Sequence, residues 1–176
     1  MLERMKASTL FHTELTGPCN AARKVWKIPP DEDVEWYVAA VNRSAKTVKK
    51  VIKKIPAAHL LIVNTPEECV IGGRKKQVRA AIKILGCEYV PIEGVVTVHC
   101  DAAVPAKEAY KDLHLFPTTQ PGFIRFYSCS RERTYDLTSE NAASSILNQA
   151  LFGFDFTATI KQAYKRMICS TSHNSN

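Results

Sequence analysis

The sequence predicts an α+β protein: a ferredoxin-like βαββαβ antiparallel sheet with two covering helices, followed by a mostly helical C-terminal segment. Strand-like and helix-like stretches alternate in the order β-α-β-β-α-β over residues 34–93, which is the order of the split βαβ motif. Beyond residue 101, apolar residues recur mainly at helical spacing. Both helices of the first unit are expected to cover one face of a four-stranded sheet.

The first strand and helix are predicted from composition and periodicity. Residues 35–41, EWYVAAV, are rich in β-branched and aromatic residues, as strands are. Ser44 is a favourable N-cap for the helix that follows, and Pro56 ends that helix. One apolar stripe runs along the helix at Val48, Val51, Ile52 and Ile55.

The next two strands are short apolar runs at 60–63 and 69–71, separated by the turn residues 64–66. Both runs are wholly apolar, which is typical of central strands. We expect Gly72 and Gly73 to stop the second of them.

A second helix and a fourth strand complete this unit. Residues 74–85 carry one apolar face, and Gly86 stands where a C′ glycine is expected. Residues 88–92 predict a strand, and Pro91 within it indicates an edge position because proline cannot donate a ladder hydrogen bond.

The C-terminal segment is expected to contain three helices and one strand. They are a helix at 102–115, a strand at 123–128, a helix capped by Thr138 or Ser139 and broken at 152–154, and a last helix at 156–167. Pro105 is tolerated in a first helical turn. Residues 170–176 are polar and are expected to fray, while residues 1–33 form an arm that lies on the domain or is partly disordered.

Composition indicates a globular protein with an acidic partner. The net charge is +7, and hydrophobic residues make up 45% of the chain. No apolar run reaches the roughly 18 residues that span a bilayer, and the N-terminus lacks the apolar stretch of a signal peptide. We therefore expect a cytoplasmic protein without a membrane segment.

Six cysteines are scattered without a C-x-x-C pair, which favours free thiols. A zinc site formed by Cys87, His99 and Cys100 is the alternative, although the adjacent pair His99-Cys100 has poor chelating geometry. The expectation is therefore no metal site and no cofactor.

A basic surface is predicted on the two helices of the first unit. Between Ser44 and Lys83 only Glu67 and Glu68 are acidic, against ten basic residues: Lys46, Lys49, Lys50, Lys53, Lys54, Arg74, Lys75, Lys76, Arg79 and Lys83. These charges form either ordinary solvated helix faces or a binding surface for an acidic carrier protein or RNA. RNA is disfavoured, because the second and third strands lack the aromatic residues of a stacking platform.

Two short motifs leave their function open. Gly72-Gly73-Arg74-Lys75 precedes a helix, where backbone amides can bind a phosphate. His99 stands where the apolar run 94–98 meets a polar triplet, and it is a catalytic base, a metal ligand or an ordinary boundary residue. No Gly-x-Ser-x-Gly elbow occurs in these 176 residues, so the sequence supplies no evident nucleophile for a base at His99.

Four stretches resemble the malonyl-CoA:acyl-carrier-protein acyltransferase family. Residues 64–73, NTPEECVIGG, look like its N-[ST]-P-x-x-x-V-I-[AG]-G motif, and 96–105, VTVHCDAAVP, take the place of the strand that ends in its catalytic histidine. Residues 123–128 and 148–156 are similar to its x-F-Y-S strand and a later helix junction. The resemblance covers 34–167 and is most like the acyltransferase domains of polyunsaturated-fatty-acid and polyketide synthases.

The resemblance implies that the catalytic groups come from two subdomains. In this family a ferredoxin-like small subdomain contributes the histidine, and a larger α/β-hydrolase-like subdomain carries the serine elbow, the oxyanion-hole amides and an arginine for the substrate carboxylate. Here 34–101 correspond to the small subdomain and 102–169 to a helical return segment of the large one, with an arm at 1–33 and a tail at 170–176. Acyl-CoA and an acyl carrier protein are the implied substrates, with His99 as the catalytic residue.

This sequence departs from the family pattern because it lacks the serine elbow. The hypothesis is a truncated or split acyltransferase domain that is inactive alone and that pairs with a second chain supplying the large subdomain. The alternatives are a non-enzymatic binding module that uses the basic helix faces, and a degenerate reading frame with no retained function. Without the large subdomain, Phe152, Phe154, Phe156 and Ile160 are expected to lack cover, so that the C-terminal third packs on the open sheet face or the chain self-associates.

Overall fold

A computed structural model describes residues 2–130 and 133–171, with side chains for 3–130 and 134–165. Its helices are α1 (Leu2–Ala7), α2 (Asn20–Trp26), α3 (Ala45–Ile52), α4 (Lys75–Leu85), α5 (Lys107–Leu113), α6 (Ser139–Phe152) and α7 (Phe156–Thr171). Its strands are β1 (Trp36–Val41), β2 (Ala58–Thr65), β3 (Glu68–Arg74), β4 (Tyr89–Ile92), β5 (Phe126–Ser128), β6 (Arg133–Tyr135) and β7 (Phe154–Asp155). A π-helical turn spans Leu10–Glu14, and a 3-10 helix spans Asp101–Ala106. Of the tail predicted at 170–176, residues 170 and 171 belong to α7, and 172–176 lie outside the described residues, as do the side chains of Met167 and Cys169.

The main sheet has the strand order β4-β1-β3-β2-β7. Its first four strands pair antiparallel, which confirms the predicted ferredoxin-like unit. Pro91 lies on the edge strand β4 opposite Ala39, as predicted. The fifth strand, β7, was not predicted: it pairs parallel with β2 through Ile62 and Phe154 and is only two residues long.

The prediction that two glycines end the third strand was wrong, because both lie inside β3. A Cβ atom on Gly72 would lie 2.6 Å from Leu61 Cδ1, and one on Gly73 would lie 2.0 Å from the carbonyl oxygen of Ala57. These residues are therefore glycine because neighbouring atoms approach the backbone closely, and the strand continues through them.

One face of the sheet is covered by α3 and α4, as predicted. Val48 of α3 and Val78 of α4 are fully buried against Ile71 of β3. Ser44 takes the predicted N-cap position of α3, but its hydroxyl lies 3.1 Å from the Thr47 hydroxyl and caps no backbone amide.

The opposite face of the sheet is covered by α2 and the 3-10 helix. Ala22 of α2 and Ala102 of the 3-10 helix are fully buried in a cluster with Leu61 of β2. Beyond it lies a helical cluster that combines the N-terminal arm with α5 and α6 through Leu10, Leu15, Leu113 and Leu151. The N-terminal arm is therefore part of the core, and this sheet face is not open.

The C-terminal segment differs from its prediction at two places. The helix expected at 102–115 is a 3-10 helix followed by α5, and Pro105, which has no amide hydrogen to donate, lies in the 3-10 part. The strand expected at 123–128 is shortened to β5, which forms a hairpin with β6. The helices α6 and α7 confirm the prediction, and the Thr138 side chain accepts a hydrogen bond from the Asn141 amide at 3.1 Å. Within the described residues, none of the helices is both long and apolar enough to cross a membrane.

Candidate active site around His99

His99 lies on the turn that joins the sheet unit to the 3-10 helix, with buried neighbours on both sides. Val98 and Cys100 are each 5% exposed. The His99 backbone has φ of 68°, a left-handed conformation that is uncommon for residues other than glycine. Its amide donates a hydrogen bond to the Ala150 carbonyl at 2.6 Å, near the end of α6. The strained backbone is therefore held in place by the C-terminus of that helix.

The imidazole is oriented by the same helix end. His99 Nδ1 lies 2.7 Å from the Gln149 carbonyl oxygen, which can only accept, so Nδ1 carries the proton. The ring also meets Phe154 edge-to-face, with the ring centroids 5.3 Å apart. Nε2 is consequently left with its lone pair, which is the tautomer that a general base needs.

Burial lowers the pKa of His99, and the hydrogen bond to the Gln149 carbonyl acts in the opposite direction with a smaller effect. The net lowering keeps the imidazole in its neutral form near neutral pH, ready to accept a proton. The same carbonyl would stabilise the imidazolium once a proton has been taken up, since a protonated ring donates more strongly.

Gly153 connects this helix end to the sheet. It has φ of 68° and ψ of −166°, a region that is essentially restricted to glycine. A Cβ atom there would lie 2.2 Å from the Leu61 carbonyl oxygen and 3.1 Å from that of His99. The sequence predicted only a helix break here, and it carried no local signal of this contact between α6, β2 and the His99 turn.

A groove of about 550 Å³ opens beside His99. One wall is formed by Lys49 of α3 and by Lys53, the C-cap of that helix, and the other includes Phe152 at the end of α6. His59 on β2 also lines this groove, with Nδ1 3.4 Å from Asp101 Oδ1. Sequence reasoning missed His59, because it lies in a strand identified only by its apolar neighbours.

The structure separates the three residues considered for zinc. Cys87 packs on the α3 and α4 side of the sheet, whereas Cys100 is buried on the opposite side. His99 uses Nδ1 for the Gln149 carbonyl. The suggested Cys87, His99 and Cys100 site therefore does not form.

Two of the amide donors on which the phosphate-binding alternative depends are already used. The backbone amides of Arg74 and Lys75 donate to the carbonyls of Ala57 and Glu35, each at 2.9 Å. The side chains of Arg74 and Lys75 form ion pairs with Glu32 and Glu35. These pairs neutralise the two charges nearest to the glycines.

No hydroxyl or thiol side chain within the described residues hydrogen-bonds to the His99 ring. Three serines of the C-terminal segment bond to one another instead: Ser128 Oγ contacts the hydroxyls of Ser130 and Ser145. Cys100 adjoins His99 in sequence, but burial raises the pKa of its thiol to about 12. The described residues thus present a base without an activated nucleophile.

The basic surface predicted on α3 and α4 is present. Within the described residues, Arg74 and Lys75 are the members of the ten that form ion pairs. The other eight are exposed: Lys46, Lys49, Lys50, Lys53, Lys54, Lys76, Arg79 and Lys83. Because Lys49 and Lys53 also line the groove, the positive charge extends to the entrance of the His99 site.

No protein-family model matches the sequence. No curated protein matches it significantly either. The structure, however, is similar to solved acyltransferases. The acyltransferase domain from the second module of the salinomycin polyketide synthase has a TM-score of 0.63 at 15% identity, over 83% of this chain and 34% of that one. Malonyl-CoA:acyl carrier protein transacylase from Helicobacter pylori has a TM-score of 0.67 at 16% identity, over 76% and 44%.

The acyltransferase domain of the polyketide synthase PpsC of Mycobacterium tuberculosis has a TM-score of 0.61 at 16% identity, over 74% of this chain and 42% of that one. The chain thus spans between a third and less than half of the length of these structures. At identities of 15–16%, the structural similarity establishes a shared fold and nothing more. At the level of the fold, it confirms the predicted resemblance to acyltransferase domains.

Proposed function

We propose that these 176 residues form the histidine-bearing part of an acyltransferase of a fatty-acid or polyketide synthase. The enzyme would transfer a malonyl or acyl group from CoA to an acyl carrier protein, with His99 as general base. The observation that carries the proposal is the hydrogen bond from His99 Nδ1 to the Gln149 carbonyl, which leaves Nε2 free to accept a proton beside a groove. The acyltransferase fold supports it, and the sequence resemblance extends it to polyunsaturated-fatty-acid synthases.

In the proposed mechanism the serine nucleophile comes from polypeptide outside these residues, in the same chain or in a second one. His99 Nε2 takes the serine proton as the hydroxyl attacks the thioester, and then gives a proton to the departing CoA thiolate. In the second half-reaction, His99 takes the proton of the carrier thiol and returns one to the serine oxygen. The Gln149 carbonyl stabilises the imidazolium formed in each half-reaction.

On its own the chain is expected to transfer no acyl group, because a base without a nucleophile forms no acyl-enzyme. The measurement is intact-protein mass spectrometry after incubation with malonyl-CoA. No mass increase is expected, and a covalent malonyl adduct would refute the proposal that the nucleophile lies elsewhere.

The decisive experiment restores the nucleophile. The coding sequence next to this one is searched for a Gly-x-Ser-x-Gly elbow, the encoded polypeptide is co-expressed with this chain, and transfer of labelled malonyl to a carrier protein is measured. His99→Ala is expected to lower kcat/KM by about 10²–10⁴-fold. His114→Ala is the matched control, because His114 Nδ1 makes the same kind of bond to the Tyr110 carbonyl at 2.7 Å away from the groove. A His99→Ala complex as active as the His114→Ala complex would contradict the assignment.

The carrier protein is proposed to bind the basic surface of α3 and α4. Carrier proteins are acidic, and the exposed lysines continue to the groove entrance. RNA is a weaker candidate, because the sheet face that an RNA-binding domain uses for stacking is covered here by α2 and the 3-10 helix. Free thiols at the five described cysteines support a reducing, cytoplasmic location.

A second candidate function, a non-enzymatic binding module, is favoured by the same eight exposed cations. Its test is carrier-protein binding at increasing salt, with Lys49, Lys50 and Lys53 all changed to Glu. The matched control reverses the same number of charges elsewhere, at Lys6, Lys24 and Lys107. Binding that is lost only in the first variant, together with His99→Ala leaving a reconstituted complex fully active, would favour the binding module over the enzyme.

A further inference from the structure

A second cluster of chemically reactive groups lies beside His99. His59 is on β2, whereas Cys100 and Asp101 follow His99 on the turn and at the start of the 3-10 helix. One donor atom from each of the three lies within 4.8 Å of the others. Residues 41 positions apart in the sequence therefore bring a nitrogen, a sulfur and an oxygen donor together.

We propose that His59, Cys100 and Asp101 form a binding site for a divalent transition-metal ion, with Zn²⁺ as the ion that this donor set fits best. An imidazole, a thiolate and a carboxylate are the three side-chain ligands that zinc uses in proteins. A thiolate and an imidazole disfavour Mg²⁺ and Ca²⁺, which prefer oxygen ligands throughout.

The spacing of the donors is close to that of a metal site. Ligands of a tetrahedral zinc ion, at bond lengths of 2.0–2.3 Å, lie about 3.3–3.8 Å from each other. The His59 Nδ1 to Asp101 Oδ1 distance is already 3.4 Å. Because no pair of donor atoms exceeds 4.8 Å, an adjustment of roughly 1 Å completes the geometry. Asp101 has room for it, since its side chain is 69% exposed.

His59 is placed to supply one nitrogen to this site. Nδ1 is the ring nitrogen beside Asp101, and it is therefore the donor assigned to the ion. The ring is held in place by stacking on Trp26, with centroids 6.2 Å apart and planes at 11°.

The charges balance when a metal is bound. An ionised Cys100 and Asp101 together carry two negative charges, which neutralise a divalent cation. Lys49 and Lys53 line the same groove and oppose cation binding, so both anionic donors are needed. The thiol loses its proton to solvent on coordination, because a zinc-bound thiol is deprotonated outright.

The position of the site has a structural consequence. Three protein donors leave a fourth coordination position, as in zinc sites that are open to water. All three donor residues line the groove that His99 also lines. A bound ion would tie β2 to the turn that presents His99 and would reduce the motion of that turn.

The test uses the purified chain, reduced and freed of metal, titrated with Co²⁺ as a spectroscopic probe for Zn²⁺. We expect visible d–d bands of tetrahedral cobalt and a thiolate charge-transfer band, both lost on adding Zn²⁺. Cys100→Ser is expected to abolish the charge-transfer band, and Asp101→Asn to raise the apparent Kd for Co²⁺ by at least about tenfold. Cys87→Ser is the control for adventitious thiol binding and should change neither readout, because Cys87 lies on the other side of the sheet.

Three results would each overturn the proposal. The first is a cobalt spectrum that Cys100→Ser leaves unchanged. The second is X-ray absorption of the zinc-loaded wild-type protein that shows no sulfur ligand. The Asp101→Asn variant guards against misfolding as an explanation, since this exposed residue does not contribute to the core. Unchanged Co²⁺ affinity in Asp101→Asn would likewise exclude the three-donor site.

Discussion

Replacing Gly153 by alanine tests whether the end of α6 packs closely against both β2 and the His99 turn. The added Cβ would lie 2.2 Å from the Leu61 carbonyl oxygen, where ordinary contact begins at 3.4 Å. The backbone must therefore shift by about 1 Å, and overpacking of this kind costs about 1–3 kcal/mol. The glycine-only φ and ψ add about 1–3 kcal/mol. After the entropic gain of about 0.4–1 kcal/mol from removing a glycine, Gly153→Ala is expected to destabilise the protein by about 1–6 kcal/mol.

The assay is urea unfolding followed by circular dichroism, with two other glycines as controls. Gly94 has φ of 71°, but a Cβ atom there would meet nothing within 4 Å, so Gly94→Ala isolates the conformational penalty of about 1–2 kcal/mol. Gly122 has neither a positive φ nor a close neighbour, and Gly122→Ala should be nearly neutral. Gly153→Ala should also lower the hydrogen-exchange protection of the His99 amide, which bonds to Ala150. If Gly153→Ala lowers the free energy of unfolding by no more than Gly94→Ala does, the close packing of Gly153 is refuted.

Three further predictions concern other parts of the molecule. Thr138→Ala should lower the free energy of unfolding in urea by about 1 kcal/mol, because it removes a side-chain cap. Ser44→Ala should lower it by less, since Ser44 caps no backbone amide. Equal losses in the two variants would contradict the assignment of the cap. Burial and nearby acids raise the pKa of Cys69 to about 11. The folded state then retains a proton that the unfolded state loses, so stability should fall as pH rises from about 9 to about 11, and less steeply in Cys69→Ala. Phe156 and Ile160 are 47% and 40% exposed, and changing both to Asp should abolish any self-association seen by light scattering. The control Ile84→Asp, at a site that is 65% exposed, should leave self-association unchanged. A wild-type protein that is monomeric would exclude self-association.

The first half of the fold was predictable because its signals are local. In α3 and α4 the apolar stripe repeats every three or four residues, and each strand is a short apolar run bounded by turn residues. The N-terminal arm carries no such period, and its buried residues Leu10, Leu15 and Ala22 lie in the π-helical turn, at its C-cap and in α2. Their burial depends on contacts with elements far along the chain, which single-sequence patterns do not reveal.

The sequence singled out His99 as a candidate, whereas it gave no indication of the residues that surround it. His99 stood out because a known motif ends there, but the residues that orient it, Gln149 and Gly153, are about 50 positions away. Phe154, which was expected to lack cover, is instead half-buried against the His99 ring. His59 had no signal at all, because a single histidine in an apolar strand gives no indication of what it will face.

The end of α6 is the element that fixes the backbone and the ring of His99. Within a few residues it supplies the acceptor for the His99 amide, the acceptor for Nδ1 and an aromatic ring against the imidazole: Ala150, Gln149 and Phe154. A left-handed histidine is costly to hold, at about 1–3 kcal/mol, and it persists only where the surroundings over-determine it. Those surroundings come from the C-terminal segment, not from the ferredoxin-like unit that precedes His99. A fragment ending at residue 101 is therefore expected to lose the orientation of the His99 ring, because Gln149, Ala150 and Phe154 would be absent.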